Sequence, residues 1–274
     1  MDIQSLKRTA TECRMLVVDQ VYTAKSGHPG GSLSITDALV VLYFNTMNID
    51  PANPNNPDRD RFIMSKGHCS PAMYAVLAER GFFPKADLKL FRSINGHVSG
   101  HVEMKHMRGV DMSTGSLGQG LSIGIGMALG ARLDNKDYRV YVAMGDGEVE
   151  EGQVWEASMA AAHYKLDNLC AMIDLNGLQI DGETKNVMNS APLRDKYLAF
   201  GWNVIDVDGH DYQAIADAFE TAKTVKGKPT MVLLHTTKGK GVSFMENNAG
   251  WHGKAPNAEQ YEQAMAELRA ELEA

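Results

Sequence analysis

Apolar residues recur at helical spacing from the first positions of the chain. Leu6, Met15, Leu16, Val17, Val18 and Val21 group along a segment that predicts a helix over residues 3–24. It runs into Ser26-Gly27-His28-Pro29-Gly30-Gly31, whose glycines and proline predict a turn. A second helix is expected over about 36–45, and Pro51 to Pro57, with three prolines and three asparagines, predicts an exposed loop. Arg61 to Ser65 has the character of a short buried strand. Further on, helices are expected at 117–132, 152–166 and 211–225, and strands at 138–144, 169–174, 202–207 and 230–236. Short apolar strands alternating with longer helical segments imply βαβ units. The expected fold class is therefore α/β, a mostly parallel sheet flanked by helices on both faces. There is no internal repeat or low-complexity tract. The tail, rich in Ala and Glu, predicts a surface helix, so residues 1–274 are expected to form a single domain with 256–274 as a C-terminal helical tail.

Composition narrows the function classes. A chain of 274 residues, 44% hydrophobic and 22% charged, can bury a sizeable core. Its net charge of -7 argues against a nucleic-acid partner, which needs a basic face to neutralise the phosphate backbone. Any phosphate must be met locally. The three cysteines, Cys13, Cys69 and Cys170, form no close pair, so neither a disulfide framework nor a CxxC metal knuckle is expected. The longest apolar run, Ala38 to Phe44, is too short to span a bilayer, and Met1-Asp2-Ile3-Gln4 does not open a signal sequence. No membrane partner and a cytoplasmic location are expected.

One junction carries chemistry. The strand at 138–144 leads directly into Gly145-Asp146-Gly147, an acidic turn, and a helix beginning near Gly152. Glycines let a backbone approach a pyrophosphate closely, while free amides and the helix dipole favour the anion. Asp146 would repel that anion unless a cation lay between them, and a hard divalent ion, Mg²⁺ or Ca²⁺, fills that role with oxygen ligands. The next strand ends near Asn176, thirty positions beyond Asp146. Adjacent parallel strands end side by side, so Asn176 is expected to lend an amide oxygen to the same ion, and Leu178 a backbone carbonyl.

A Gly-Asp-Gly turn, an intervening helix and an asparagine at this separation resemble the diphosphate-binding motif of thiamine-pyrophosphate enzymes. Other segments resemble the transketolase family: His28 in Ser26-Gly-His-Pro-Gly30, His68 in Lys66-Gly-His68, His101 in Ser99-Gly-His-Val-Glu103, His252 in Trp251-His-Gly253, the loop Thr114-Gly-Ser-Leu-Gly-Gln-Gly120, and Glu151 after the Gly-Asp-Gly. They span residues 26 to 253 in order. The resemblance implies the thiamine-diphosphate-binding fold and, within it, the diphosphate-binding domain. It implies cofactor binding by His68, Gly115, Ser116, Leu117, Gly145, Asp146, Gly147, Glu151, Asn176 and His252. It also implies a catalytic set of His28, His68, His101 and His252 lining a funnel, where imidazoles bind sugar hydroxyls and shuttle protons. His97, His106, His163, His210 and His235 are assigned structural roles, His163 as a packing residue. Three departures from the family pattern, Gly31-Ser32-Leu33, Val102 and Ser116, bear on the funnel and leave the diphosphate site intact.

In transketolases the glutamate that activates the aminopyrimidine ring lies on a different domain, and a complete member is more than twice this length. The resemblance therefore implies a separately encoded C-terminal subunit carrying the pyrimidine-binding domain, joined in an α2β2 assembly. The Met1 start and helical tail favour a natural subunit over a cut piece. The expected reaction moves a two-carbon ketol group from a ketose phosphate to an aldose phosphate. Alternatives are a specialised ketol transferase on an unusual sugar, a deoxyxylulose-phosphate-synthase-like condensation, or a non-catalytic regulatory subunit. The four histidines favour transketolase over the synthase, and the retained Asp146 and Asn176 weigh against a regulatory remnant. A nucleotide-binding dehydrogenase has only Gly124, Gly126 and Gly130 in its favour, within a helical stretch with no strand before it.

Overall fold

The structure, a computed structural model, describes residues 1–273. Helix α1 (Ile3–Ala24) is capped by Asp2, whose carboxylate accepts the Ser5 N–H at 2.7 Å. Helix α2 (Pro29–Val41) continues through a π-helical turn at Leu42–Thr46. Strand β1 (Arg61–Met64) and α3 (Ser70–Arg80) follow, then α4 (Gly120–Leu133), β2 (Val140–Gly145), α5 (Gly152–His163) and β3 (Leu169–Leu175). Beyond them come a small hairpin of β4 (Leu178–Gln179) and β5 (Gly182–Glu183), the short helices α6 (Thr184–Val187) and α7 (Leu193–Ala199), then β6 (Asn203–Asp208), α8 (Tyr212–Thr224), β7 (Thr230–His235) and α9 (Ala258–Glu273).

The five long strands form one parallel sheet in the order β1-β2-β3-β7-β6. Side chains alternate across it, so two cores form. Tyr141, Ala143, Cys170 and Met172 pack with α1, α2, α3 and α8 on one face, while Val140, Val142, Ala171 and Ile173 pack with α4, α5 and Tyr197 on the other. Helix α9 covers α1, stacking Tyr261 on Tyr22 at 4.1 Å and donating the Tyr261 hydroxyl to Asp19 at 3.0 Å. Arg14 of α1 meets Asp37 of α2 in a buried pair at 2.6 Å, to which Tyr212 and His210 add hydrogen bonds. No helix among the described residues is long and apolar enough to cross a membrane.

The α/β architecture expected from the pattern is present, with shifted boundaries. Helix α2 begins at Pro29, so Pro29-Gly30-Gly31 opens the helix instead of forming a turn, with proline in the first turn where its missing N–H costs nothing. Helix α4 begins at Gly120, later than expected, and α5 ends at His163. The pattern of apolar positions does not predict helices α3, α6 and α7 or the β4–β5 hairpin. In α2 every residue is buried, and in α3 only the last two are not, so neither shows the polar face that periodicity detects. His163, expected to pack inward, is exposed.

Two glycines of α4 should behave oppositely. A Cβ on Gly124 would stand 2.5 Å from Val142 Cγ2, whereas one on Gly126 meets nothing within 4 Å. In denaturant unfolding of the chain, Gly126→Ala should stabilise by about 0.5–1 kcal/mol through helix propensity, and Gly124→Ala should destabilise by about 1–3 kcal/mol through overpacking. Equal effects at the two positions would contradict this packing of α4 on the sheet.

Candidate active site

The register of the sheet brings functional side chains to one edge. Gly145 pairs with Asp174 and Asp174 with Leu234, so β2, β3 and β7 end level with one another, at the side where parallel sheets bind ligands. Beyond these ends lies a cavity of about 250 Å³ whose wall includes Lys66, Asp146, Asn176, Lys238 and the histidines His28, His68, His101 and His252.

Beneath it lies a buried ion pair. Lys66, just beyond β1, binds Asp174, the two side chains being 3% and 0% exposed. Asp174 also accepts from Ser34 at 2.6 Å, from Asn176 at 3.0 Å and from Thr236. Burial alone would raise this carboxyl, but the Lys66 ammonium and the hydroxyl donors outweigh it and hold Asp174 below the ordinary carboxylate range.

Asp146 is placed differently. It is 3% exposed and accepts only backbone N–H groups, from Gly147 at 2.9 Å and Gly177 at 2.5 Å. Burial, with the Asp174 charge beside it, raises its carboxyl to about 6. A buried carboxylate without a cationic side chain on it suits a metal ion. Asn176 shares the cavity wall, and its Oδ1 accepts the Leu178 N–H at 3.1 Å. The Leu178 carbonyl accepts from Lys238 Nζ at 3.1 Å and retains a second lone pair. The available ligands are thus a carboxylate, an amide oxygen and a carbonyl, the donor chemistry of Mg²⁺ or Ca²⁺. Among the described residues no three His, Cys, Asp or Glu side chains group as a metal cluster. Lys238, 2% exposed, donates to Leu178 and faces His252 Nδ1 at 3.2 Å, with no carboxylate among its hydrogen-bond partners. Lys66 and Lys238 bring two ammoniums to a cavity whose lining also holds the Asp146 and Glu148 carboxylates, and Lys238, with no carboxylate hydrogen-bonded to it, is the cation placed to meet an anion such as a diphosphate.

A third buried carboxylate braces the loops. Glu148 accepts from Ser65 Oγ, from Gly118 N at 3.0 Å and from Gly145 N at 3.0 Å, tying the end of β1, the glycine-rich loop before α4 and the Gly-Asp-Gly turn to one side chain. Gly118 adopts a left-handed backbone, φ 82°, that favours glycine. At Gly67 a Cβ would lie 2.5 Å from the Thr114 carbonyl carbon, so only glycine allows the His68 loop to pass there.

The four histidines converge on this cavity. Ring centroids of His28 stand 5.2 Å from His68, 5.9 Å from His101 and 5.5 Å from His252, and His68 stands 5.1 Å from His252. Burial is the largest cause pushing each of them down, to about 4 for His28 and about 3 for His252, with Arg92 and Lys238 adding positive charge nearby. They are neutral near pH 7 and able to donate from one nitrogen and accept on the other. His101 is held through its neighbours: Tyr74 donates to its carbonyl at 2.8 Å, and Val102 N–H donates to Gly67 O at 3.1 Å. That bond, which needs the N–H at position 102, links two histidine loops directly.

Of the residues singled out from sequence, the cavity gathers His28, His68, His101, His252, Gly115, Leu117, Gly145, Asp146, Gly147, Asn176 and Leu178. Ser116 and Glu151 are exposed and do not line it. His97 and His106 lie in an adjacent open groove that also reaches Arg92 and His101. His210 is structural, bonding Asp37 and accepting Thr237 N–H at 2.9 Å. Sequence reasoning missed Lys66, Glu148, Asp174, Lys238 and Arg92. A usable signal existed for Asp174, because a charged residue closing an otherwise apolar strand needs a buried partner.

Comparison with known proteins places these features in a family. The model for "Transketolase, thiamine diphosphate binding domain" matches residues 5–272. An apulose-4-phosphate transketolase subunit of Phocaeicola vulgatus is 44% identical over 273 residues, 100% of this chain and 97% of that protein. The 6-deoxy-6-sulfo-D-fructose transketolase subunit SqwG of Clostridium sp. (strain MSTE9) is 45% identical over 97% of each chain. The crystal structure of Campylobacter jejuni transketolase superposes with a TM-score of 0.92 at 33% identity, covering 98% of this chain and 43% of that one. The chain thus spans less than half the length of the solved transketolases it matches.

The neutral histidines have a consequence for acid stability. Unfolded, each would take a proton near its ordinary value of 6.5, whereas the fold delays this to about 4 at His28 and about 3 at His252. Their contribution to stability, complete above 6.5, should fall away as pH drops from 6.5 toward 4. The variant His28→Asn/His252→Asn should therefore lose up to about two protons of slope in unfolding free energy against pH over that window. Asp146 contributes the opposite slope to both proteins and cancels in the difference. Identical slopes would contradict neutral imidazoles.

Proposed function

The chain belongs to the transketolase family, whose thiamine-diphosphate-binding domain it spans, and on that premise we propose that it is the N-terminal subunit of a two-chain transketolase. It acts as a single domain that binds the diphosphate end of thiamine diphosphate through Mg²⁺ or Ca²⁺. With a separately encoded C-terminal subunit carrying the pyrimidine-binding domain, in an α2β2 assembly, it transfers a two-carbon ketol group from a ketose phosphate to an aldose phosphate. The observation that carries this reading is the buried Asp146, hydrogen-bonded by backbone N–H groups and by no cationic side chain, set in one cavity with Asn176 and the four neutral histidines. Three free, buried cysteines support a cytoplasmic setting.

Thiamine diphosphate supplies the chemistry that cleaves and forms the carbon–carbon bond beside the ketose carbonyl. The protein supplies placement. Asp146, Asn176 and the Leu178 carbonyl would hold the ion and Lys238 would meet the diphosphate, while Gly145 and Gly147, without side chains, leave room for it to approach. Gly115 and Leu117 bound the cavity on the side of α4. Neutral His28, His68, His101 and His252 donate to and accept from sugar hydroxyls and carry the proton that each bond change releases or consumes.

A second reading concerns the substrate. Full-length matches to relatives named for apulose-4-phosphate and 6-deoxy-6-sulfo-D-fructose favour a specialised ketol transferase on an unusual sugar with an anionic end. Both readings share one cofactor site.

One experiment separates binding from turnover. In the chain assembled with its C-terminal partner, Asp146→Ala should weaken Mg²⁺-dependent thiamine diphosphate binding by about two orders of magnitude or more, since it removes the anionic ligand. His101→Ala should bind cofactor normally and lose about 10²-fold or more in kcat/KM. Wild-type cofactor affinity in Asp146→Ala would sink the metal assignment, and wild-type kcat/KM in His101→Ala would sink the role given to the histidines.

A further inference from the structure

The side chain of Asn176 has two orientations that differ by exchanging its oxygen and its NH₂ group, and only one of them serves a cation. In the structure Nδ2 donates to Asp174 Oδ2 at 3.0 Å, while Oδ1 accepts the Leu178 N–H at 3.1 Å and keeps one lone pair. Asn176 and Asp146 share the cavity wall. Asp174 does not: it has no exposed surface and is fixed from three other directions by Ser34 of α2, Lys66 beyond β1 and Thr236 beyond β7. The amide is therefore the movable partner and the carboxylate the anchor.

We propose that Asp174 is the positioning residue that selects the oxygen-forward orientation of Asn176 and so prepares that side chain as a cation ligand. The proposal rests on the reading of Asp146 and Asn176 as metal ligands. In the opposite orientation Oδ1 would face the Asp174 carboxylate at hydrogen-bond distance, acceptor against acceptor, and NH₂ would face both the Leu178 N–H and the ion. A charge-assisted hydrogen bond would be exchanged for two repulsive contacts. Lys66 keeps the anchor charged, which links the pair beneath the cavity to the metal without Lys66 touching the ion.

Exchanging the two residues tests this. The probe is Mn²⁺, titrated in the presence of thiamine diphosphate into the chain assembled with its C-terminal partner and followed by electron paramagnetic resonance. Asn176→Asp places two carboxylates against each other and should weaken Mn²⁺ binding by about tenfold or more, in the range usual for loss of an outer-shell partner, although a carboxylate is by itself the stronger ligand. Asp174→Asn removes the charged anchor and should weaken binding to a similar degree. The double variant Asp174→Asn/Asn176→Asp restores one amide and one carboxylate with unchanged net charge. It should return to within about threefold of wild type, a non-additivity that purely structural damage does not produce.

A double variant weaker than either single one would overturn the proposal. So would tighter Mn²⁺ binding by Asn176→Asp alone, which decides the question if Asp174→Asn does not fold. Asp146→Ala serves as the control for the underlying reading. Retained Mn²⁺ binding in that variant would remove the metal site itself, whereas its loss beside an additive exchange would remove only the role of Asp174.

Discussion

Lys66 and Asp174 meet where four parallel strands and helix α2 converge, and neither side chain has appreciable contact with water. Taking two charges out of water costs more than their attraction returns unless the remaining hydrogen-bonding positions are filled. Here they are filled, by Ser34, Thr236 and Asn176 on the carboxylate and by the Gly31 carbonyl, at 3.1 Å, on the ammonium. The pair pins the start of α2, which follows His28, to the loop that carries His68 and to the turn that carries Asn176. An apolar pair of the same volume would stabilise the fold at least as well but would leave these three segments without a common anchor.

Glu148 plays a matching part on the other side of the cavity. Its two oxygens hold the glycine-rich loop before α4 and the Gly-Asp-Gly turn in register with Ser65. Asp146, buried as Asp174 and Glu148 are, has no cationic side chain hydrogen-bonded to it, and its carboxyl is raised to about 6. One carboxylate is neutralised by lysine, one is satisfied by a hydroxyl and amides, and one accepts only backbone N–H groups. The sheet provides this arrangement because its strands end level, so residues far apart in sequence reach one rim.

Much of this was legible from the chain. Strand β2 leading into Gly145-Asp146-Gly147 and β3 leading into Asn176 could be found because motif and fold reinforce each other: a parallel sheet places both ends side by side. The four histidines were legible as a set because the short segments around them resemble those of the transketolase family. Helices α2 and α3 were mistaken or missed because almost every residue in them is buried, which erases the polar face that marks an amphipathic helix. Lys66, Glu148 and Lys238 escaped because an isolated charge in sequence resembles a solvated one. Only the tertiary contacts reveal that each is buried against a partner. Ser116 and Glu151 were grouped with the cofactor site through family resemblance and lie outside the cavity of the single chain.

The central claim is that this chain supplies the diphosphate half of a shared active site, so turnover should depend on a second chain. The most direct measurement is ketol transfer from xylulose 5-phosphate to ribose 5-phosphate, with Mg²⁺ and thiamine diphosphate, comparing the chain alone with the chain mixed with its C-terminal partner. The account predicts no turnover from the chain alone and turnover in the mixture that saturates when the two chains are equal in concentration. Full activity from the chain alone would contradict it.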